Sequence, residues 1–331
     1  MDAATRVRFG QSLGSRPWLW GIALAVLGTA VPLFVSDPGL QDLAVLSAFY
    51  LLLAGGWNLL AGFSGQFSFA HAALAAVGAY CTVLLESKWN VPVAATLPLA
   101  GLGTALIGAA LGTILLRVRG VYLSLVSFAF AGAFSAWLYG AFDFTGGGRG
   151  HTAGILFSGV DQSPYVWLGL GLVIAYFASQ ALLLNSRWGL YLLAVRDREE
   201  VAEGLGVRSR QVKVVAFAFS SFWAGVAGSL YAAYEGIVAP SIGSLLTMGL
   251  ILAMVVVGGM GRRFGPLLGV LILQVISYWV RGYGAQYTLL IFSALVLGVM
   301  LFSRDGLLSL AEPVVRRYSP RQRWQSQGPL R

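Results

Sequence analysis

The chain is poor in the groups on which most soluble chemistry depends. Its 331 residues include one cysteine, two histidines and 13 acidic residues, and only 11% of them are charged. The lone cysteine, Cys81, sits inside an apolar run, which excludes a disulfide framework and a cysteine metal site. No G-x-x-x-x-G-K-[ST] phosphate loop is present, so the chain cannot hydrolyse ATP by that machinery. There is also no H-x-x-x-H, no C-x-x-C and no pair of carboxylates inside an apolar segment. An integral-membrane enzyme would need such clusters near the bilayer surface.

What the chain does have is apolar length. Hydrophobic residues make up 57% of it and there are 43 glycines, whereas an average soluble domain carries roughly 25% charged residues. A bilayer core of about 30 Å asks for about 20 apolar residues per helical crossing. Ten segments qualify, near 18–36, 43–62, 66–86, 93–116, 121–141, 165–184, 212–235, 245–260, 264–280 and 287–303. The eighth and ninth are short, and dense hydrophobicity near 55–80 blurs the ends of the second and third, so broken or re-entrant helices are an alternative there. Barrel strands would run about 10 residues with a period of two, and that period is missing from "LLGVLILQVISYWV". The expected fold is therefore an all-α polytopic integral membrane protein. Residues 1–17 form a cytoplasmic segment, 18–303 the transmembrane domain and 304–331 a basic tail.

Positive residues in short loops stay on the cytoplasmic side. With ten crossings and the N-terminus inside, nineteen Lys and Arg fall inside and three outside, namely Lys88, Arg149 and Arg281. Both termini are thus expected in the cytoplasm, with the first span an uncleaved anchor. The net charge of +9 reads as topology, and nucleic acid is not an expected partner because no solvent-exposed basic face with interleaved aromatics is evident.

Small residues repeat at a spacing of four in Gly108/Gly112, Gly265/Gly269, Ser220/Ala224/Gly228 and Ser221/Gly225/Ser229. These read as helix-packing seams. Ionisable groups inside spans are little more than His71 and, near an outer end, Glu235. The segment 62–71, "GFSGQFSFAH", places glycines and polar side chains between apolar spans, where irregular backbone is tolerated only if protein or a water-filled cavity satisfies it. Ser64, Gln66, Ser68 and His71 either flank a translocation path or fix the bundle by interhelical hydrogen bonds.

The densest charge lies at 196–207, "RDREEVAEGLGV", within the long loop 185–211. Asp197 followed by Glu200 has the form of a capping box, and Gly206 supplies a helix stop. This spacing predicts a helix of about two turns over 197–206, with Val201 and Leu205 on one face and Ala202 beside them. So short a helix is marginal alone in water and either docks into a partner protein or lies at the headgroups.

The stretch 194–232, "AVRDREEVAEGLGVRSRQVKVVAFAFSSFWAGVAGSLYA", resembles the coupling loop and following helix of the Liv-type permease subunits of branched-chain amino acid ABC importers. Arg196, Asp197, Glu199, Ala202, Glu203, Leu205 and Gly206 match that pattern, while Arg198, Val201 and Gly204 depart from it. The segments "NLLAGFSGQFSFAHAALAAVGAY", "LRVRGVYLSLVSFAFA", "TGGGRG" and "VVVGGMGRRFGPLLGVLI" resemble further family motifs in family order, with Ala70, Leu74 and Ser127 as departures.

The resemblance implies an ABC importer permease that moves branched-chain amino acids inward by alternating access. Arg196, Asp197, Glu199, Glu200, Val201, Ala202, Glu203, Leu205 and Gly206 are then the ATPase-coupling residues. It further implies two cytoplasmic ATPase subunits that hold ATP and Mg, a second permease subunit and an extracytoplasmic binding protein. The chain itself is expected to bind no cofactor, and the resemblance implies that it resides in the bacterial inner membrane. A urea or short-chain amide permease is the alternative within the family, and a passive channel or membrane enzyme a remote one. "TGGGRG" is expected to be a flexible external loop.

Overall fold

The structure is a computed structural model that describes residues 37–115, 120–157 and 162–280, with isolated positions 290, 291, 293, 294, 297 and 298. The expected first span, most of the tenth, both terminal segments and the arginines at 117 and 119 lie outside the described residues.

The described chain is helical. It runs α1 (Pro38–Asn58), a π-helical turn (Leu59–Phe63), α2 (His71–Trp89), α3 (Val93–Leu115), α4 (Val121–Gly140), the short α5 (Phe142–Thr145) and α6 (Ser163–Asn185). Then come α7 (Arg187–Asp197), α8 (Glu199–Gly204), α9 (Ser209–Glu235), α10 (Leu245–Gly258) and α11 (Gly265–Val280). Five of these segments, Pro38–Phe63, Val93–Leu115, Val121–Gly140, Ser163–Asn185 and Ser209–Glu235, are long and apolar enough to cross a membrane, and α10 and α11 are shorter apolar helices. The expected spans four to nine each coincide with one helix to within three residues, whereas the second begins five residues earlier than expected, at Pro38, and the third five residues later, at His71 rather than at 66. The chain is an all-α multi-pass membrane protein.

Helix ends follow from local chemistry. Asp37 caps α1 by accepting from Gly39 N–H at 2.9 Å, with Pro38 in the first turn where no N–H is needed. Two residues of β structure, His151–Thr152, pair antiparallel with Ile237–Val238. That pairing corrects the expectation for "TGGGRG". Thr145 Oγ1 donates to Leu138 O at 2.6 Å and accepts from Gly147 N–H at 3.1 Å, so the segment is held from within and tied to the end of α9.

Helix α9 is central, packing on α3, α2 and α1. Lipid is as apolar as leucine, so helices associate by close approach of small residues. The two small-residue rows on α9 divide the work. Ser220 and Gly228 face α1 and α2: Ser220 Oγ donates to Gly56 O at 3.0 Å, and a Cβ at Gly228 would strike Ala75 O. Ser221, Gly225 and Ser229 face α3 and α2: a Cβ at Gly108 would overlap Ser221, one at Gly225 would overlap Thr104, and Thr82 Oγ1 donates to Ser229 Oγ at 2.7 Å. The glycines at 265 and 269 pack against the end of α10 in the same manner, at Gly259 and Met254.

The helix ends collect at two poles. At one stand the π turn, the starts of α2, α4, α9 and α11, and the ends of α6 and α10, joined by bonds such as Ser124 Oγ to Phe67 O at 3.1 Å and Arg263 Nη2 to Asn185 Oδ1 at 2.9 Å. Arg187, Arg196, Arg198, Arg208, Arg210, Lys213, Arg262 and Arg263 all lie there, whereas Lys88 and Arg149 are at the other pole. At this basic pole the fully buried Asn58 clamps the α10–α11 turn. Its Nδ2 donates to Arg262 O at 2.9 Å and its Oδ1 accepts from Gly261 N–H at 2.8 Å.

Two stability predictions follow from this packing. A Cβ at Gly78 would strike the Gly225 backbone, while one at Gly132 has nothing within 4 Å. Gly78→Val should therefore lower the melting temperature in detergent, by overpacking worth roughly 1–3 kcal/mol, and Gly132→Ala should leave it unchanged. Asn58→Leu strands an N–H and a C=O at about 1–3 kcal/mol each. It should both lower the melting temperature and speed trypsin cleavage after Arg262 or Arg263; cleavage at the wild-type rate would contradict the clamp.

Candidate functional site

The expected loop 185–211 is largely helical. Helix α7 was not anticipated from sequence. Ser186 caps it by accepting from Trp188 N–H at 3.2 Å, and Gly189, Leu192 and Val195, three residues apart, are buried against the bundle. That spacing was a legible signal, but Trp188, Leu190 and Tyr191 on the outward face are apolar too and obscure it.

The capping box does not form. Asp197 ends α7, and the break falls at Arg198, which is extended at φ −154° and caps α8 with no side-chain bond. The Asp197 carboxylate is instead engaged by Arg196 Nε and Nη2 at 3.1 and 3.0 Å. Asp197 is itself the last helical residue of α7, so the cap position falls one residue later, on an arginine that has no short acceptor to offer. Helix α8 is consequently six residues long, shorter than expected.

The predicted stop is present in full. Gly206 adopts φ +86°, Val207 N–H donates to Ala202 O at 3.0 Å and Gly206 N–H to Glu203 O at 2.9 Å. This double closure at a left-handed residue is the Schellman arrangement, which glycine enters without a Cβ penalty.

Side chains fix both ends of α8. Lys213 Nζ donates to Glu199 Oε2 at 2.7 Å, and Ser209 Oγ donates to Glu203 Oε1. Ala202 is 2% exposed and packs into the core, so it anchors the helix and does not share the outward face expected of it. That face belongs to Val201 and Leu205, 53% and 81% exposed, with Glu200 and Gly204 also exposed. Beside it a cleft of about 350 Å³ is lined by Trp188, Tyr191, Leu205, Val207, Arg208 and Gln211, among others.

The second expected site, 62–71, is a real break in the helix. After the π turn the backbone is irregular from Gly65 to Ala70. Gly65 takes φ +72°, a conformation open to glycine at no steric cost. Ser64 Oγ donates to Leu60 O at 2.7 Å, and Gln66 N–H reaches the same carbonyl at 3.0 Å. Gln66 Nε2 donates to Ser64 Oγ at 2.7 Å and lies 3.5 Å from Lys213 O. Trp57 Nε1 donates to Ser68 O at 2.7 Å, and Ser68 Oγ accepts from Ala70 N–H at 3.3 Å. His71 Nε2 lies 3.0 Å from Ser220 Oγ.

Ser64, Gln66, Ser68 and His71 are all at most 2% exposed. The first three support the broken backbone directly, and His71 joins α2 to α9. Two atoms among them, Gln66 Oε1 and His71 Nδ1, are buried without a hydrogen-bond partner.

The two sites meet. Arg196 turns inward, away from the face expected of it, and its Nη1 donates to Gly62 O at 2.9 Å. Sequence reasoning missed this contact, as it missed Asn58, because 134 residues separate the partners. Among the described residues no group of three or more His, Cys, Asp or Glu could hold a metal ion.

Comparison with known proteins accords with this layout. Residues 39–303 match the family described as branched-chain amino acid transport system / permease component. The chain is 31% identical to the high-affinity branched-chain amino acid transport system permease protein LivM of Escherichia coli over 330 residues, covering 90% of this chain and 76% of that protein. It is 26% identical to LivH of Salmonella typhimurium over 293 residues, 81% of this chain and 93% of that one. The autoinducer 2 import system permease protein LsrC of Yersinia pseudotuberculosis is 33% identical over 164 residues, 47% of this chain and 44% of its own. No solved structure matches. The matched region holds both the broken helix and the pinned α8, and the chain belongs to the branched-chain amino acid transport system permease family.

Proposed function

We propose that this chain is the membrane-spanning permease subunit of an ABC importer that carries branched-chain amino acids inward across a bacterial inner membrane by alternating access. The observation that carries the proposal is α8: a short helix held at both ends, with Val201 and Leu205 outward and exposed among the described residues. Exposed apolar side chains on a rigid, charged element at the basic pole suit docking into a cytoplasmic protein.

The orientation rests on the positive-inside bias. The helices described here alternate between the two poles. Adding the expected spans at 18–36 and 287–303 makes ten crossings with both termini in the cytoplasm, flanked by the segments 1–17 and 304–331.

The partners are then two cytoplasmic ATPase subunits, a second permease and an extracytoplasmic binding protein. ATP and Mg belong to the ATPases, and this chain holds no cofactor of its own. As a permease subunit it is not an enzyme. Of the residues read from sequence as coupling groups, Glu200, Val201, Leu205 and Gly206 form the docking face, while Glu199, Ala202 and Glu203 hold α8 in place. The broken segment 62–71 borders the translocation path, with Ser64, Gln66, Ser68 and His71 keeping its irregular backbone in shape.

Co-purification with the cognate ATPases tests the proposal. Wild type should retain them, whereas Val201→Asp and Leu205→Asp should release them while the permease stays monodisperse, because each buries a carboxylate against an apolar groove. Val201→Ala should weaken retention less. In proteoliposomes, uptake should be seen for labelled leucine, isoleucine or valine and not for urea; uptake of urea alone would reassign the substrate, and a wild type that retains no ATPase would end the importer reading.

A further inference from the structure

We infer that Arg196 is an internal latch, a positioning residue that carries displacement of α8 to the broken helix at 59–70, and that it is not part of the ATPase-docking surface. The inference rests on the coupling role proposed for α8.

Four observations place the latch. Arg196 lies in the last turn of α7, immediately before the break that frees α8. Its side chain is 24% exposed, against 58% for Asp197 beside it, and so offers little to an incoming protein. Nη1 donates to Gly62 O at 2.9 Å, while Nε and Nη2 hold Asp197 Oδ1. The loop after the π turn passes close against this side chain: a Cβ on Gly65 would come within 3.1 Å of Arg196 Cγ.

The chemistry requires arginine. A guanidinium presents its donors in one rigid plane. Asp197 grips two of them and thereby aims the third at Gly62, whose carbonyl is released from regular pairing by the π turn. An ammonium is a point charge without that fork and cannot hold both partners in one fixed geometry.

The same end of α8 has a second connection. Glu199 is paired with Lys213, whose carbonyl faces Gln66 Nε2 at 3.5 Å. The start of α8 is therefore tied by two strings, one running from Arg196 to Gly62 and the other from Glu199 through Lys213 to Gln66, that end at two points of the same broken segment. The Arg196 string is the shorter and the charge-assisted one. Gly62 lies in the turn that follows Asn58, and Asn58 clamps the α10–α11 turn, so a push that reaches the π turn bears on two transmembrane segments together.

The test uses the complete importer in proteoliposomes, with both permeases, both ATPases and the binding protein, and measures amino acid transported per ATP hydrolysed. For Arg196→Ala the ATPases should remain bound while this ratio falls by about tenfold, a loss of the size seen when a coupling contact is removed. Arg196→Lys, which keeps the charge and loses the fork, should give an intermediate ratio. A merely structural residue would instead lower complex yield and melting temperature and leave the ratio of the surviving complexes unchanged. An unchanged ratio in Arg196→Ala overturns the latch. Release of the ATPases by Arg196→Ala, as expected for Val201→Asp, also overturns it, by moving Arg196 onto the docking surface. If Arg196→Ala does not assemble, Arg196→Lys decides: a wild-type ratio rejects the latch and an intermediate one supports it. Failure of the wild-type chain to hold any ATPase refutes the reading beneath the latch, and is seen separately in the control.

Discussion

Backbone polar groups inside a bilayer have no water to fall back on, so a helix that breaks off there must find a partner for every N–H and C=O it frees. The break after Asn58 imposes that demand on everything at the basic pole. Leu60 O takes both the Ser64 hydroxyl and the Gln66 amide, Ser68 O takes the Trp57 indole, and Gly62 O takes the Arg196 guanidinium. Phe67 O and Phe69 N–H are met by Ser124 and Ser127 from α4. The partners come from the break itself, from α1, α4 and α7, and through Lys213 O, which faces Gln66 Nε2, from α9, so satisfying the break draws α4, α7 and α9 to the same place.

This has a consequence for how the protein can move. Carbon against carbon at a small-residue seam allows little sliding, because the backbones of α2, α3 and α9 are already in contact at Gly78, Gly108 and Gly225. The polar pole is different: its connections are single hydrogen bonds to individual carbonyls, each of which can be exchanged at modest cost. A transporter needs a rigid body and a few places that give. Here the rigid body is the glycine and serine packing around α9, and the places that give are the bonds between the break, Arg196 and the α10–α11 turn.

Much of the fold was legible. Apolar runs of bilayer length are set by hydrophobicity alone, and expected segments such as 93–116 and 264–280 match α3 and α11 closely for that reason. The small-residue rows were legible as seams, since only close approach rewards a spacing of four. Gly206 was legible as a stop, because its left-handed conformation is a local property. The capping box at Asp197 was legible and did not form. Its residues have the right types, but α7 runs on through Asp197 and the chain breaks at Arg198, and a local pattern does not reveal where the preceding helix stops.

Legible from the sequence alone were the membrane class, the rough limits of most of the described apolar helices, the pole that carries positive charge and the existence of a short charged element before α9. These depend on local composition and on the cost of placing charge in lipid, and both are read residue by residue. Only the tertiary structure decided which way each side chain of that element turns. Val201 and Leu205 face outward, Ala202 faces the core, and Arg196 reaches 134 positions back to Gly62. The orientation of a side chain on a short helix is set by whatever packs against it, and for α7 and α8 those neighbours are the π turn after α1, which α7 meets, and the start of α9, which both meet; the fold brings these together and the chain order keeps them apart.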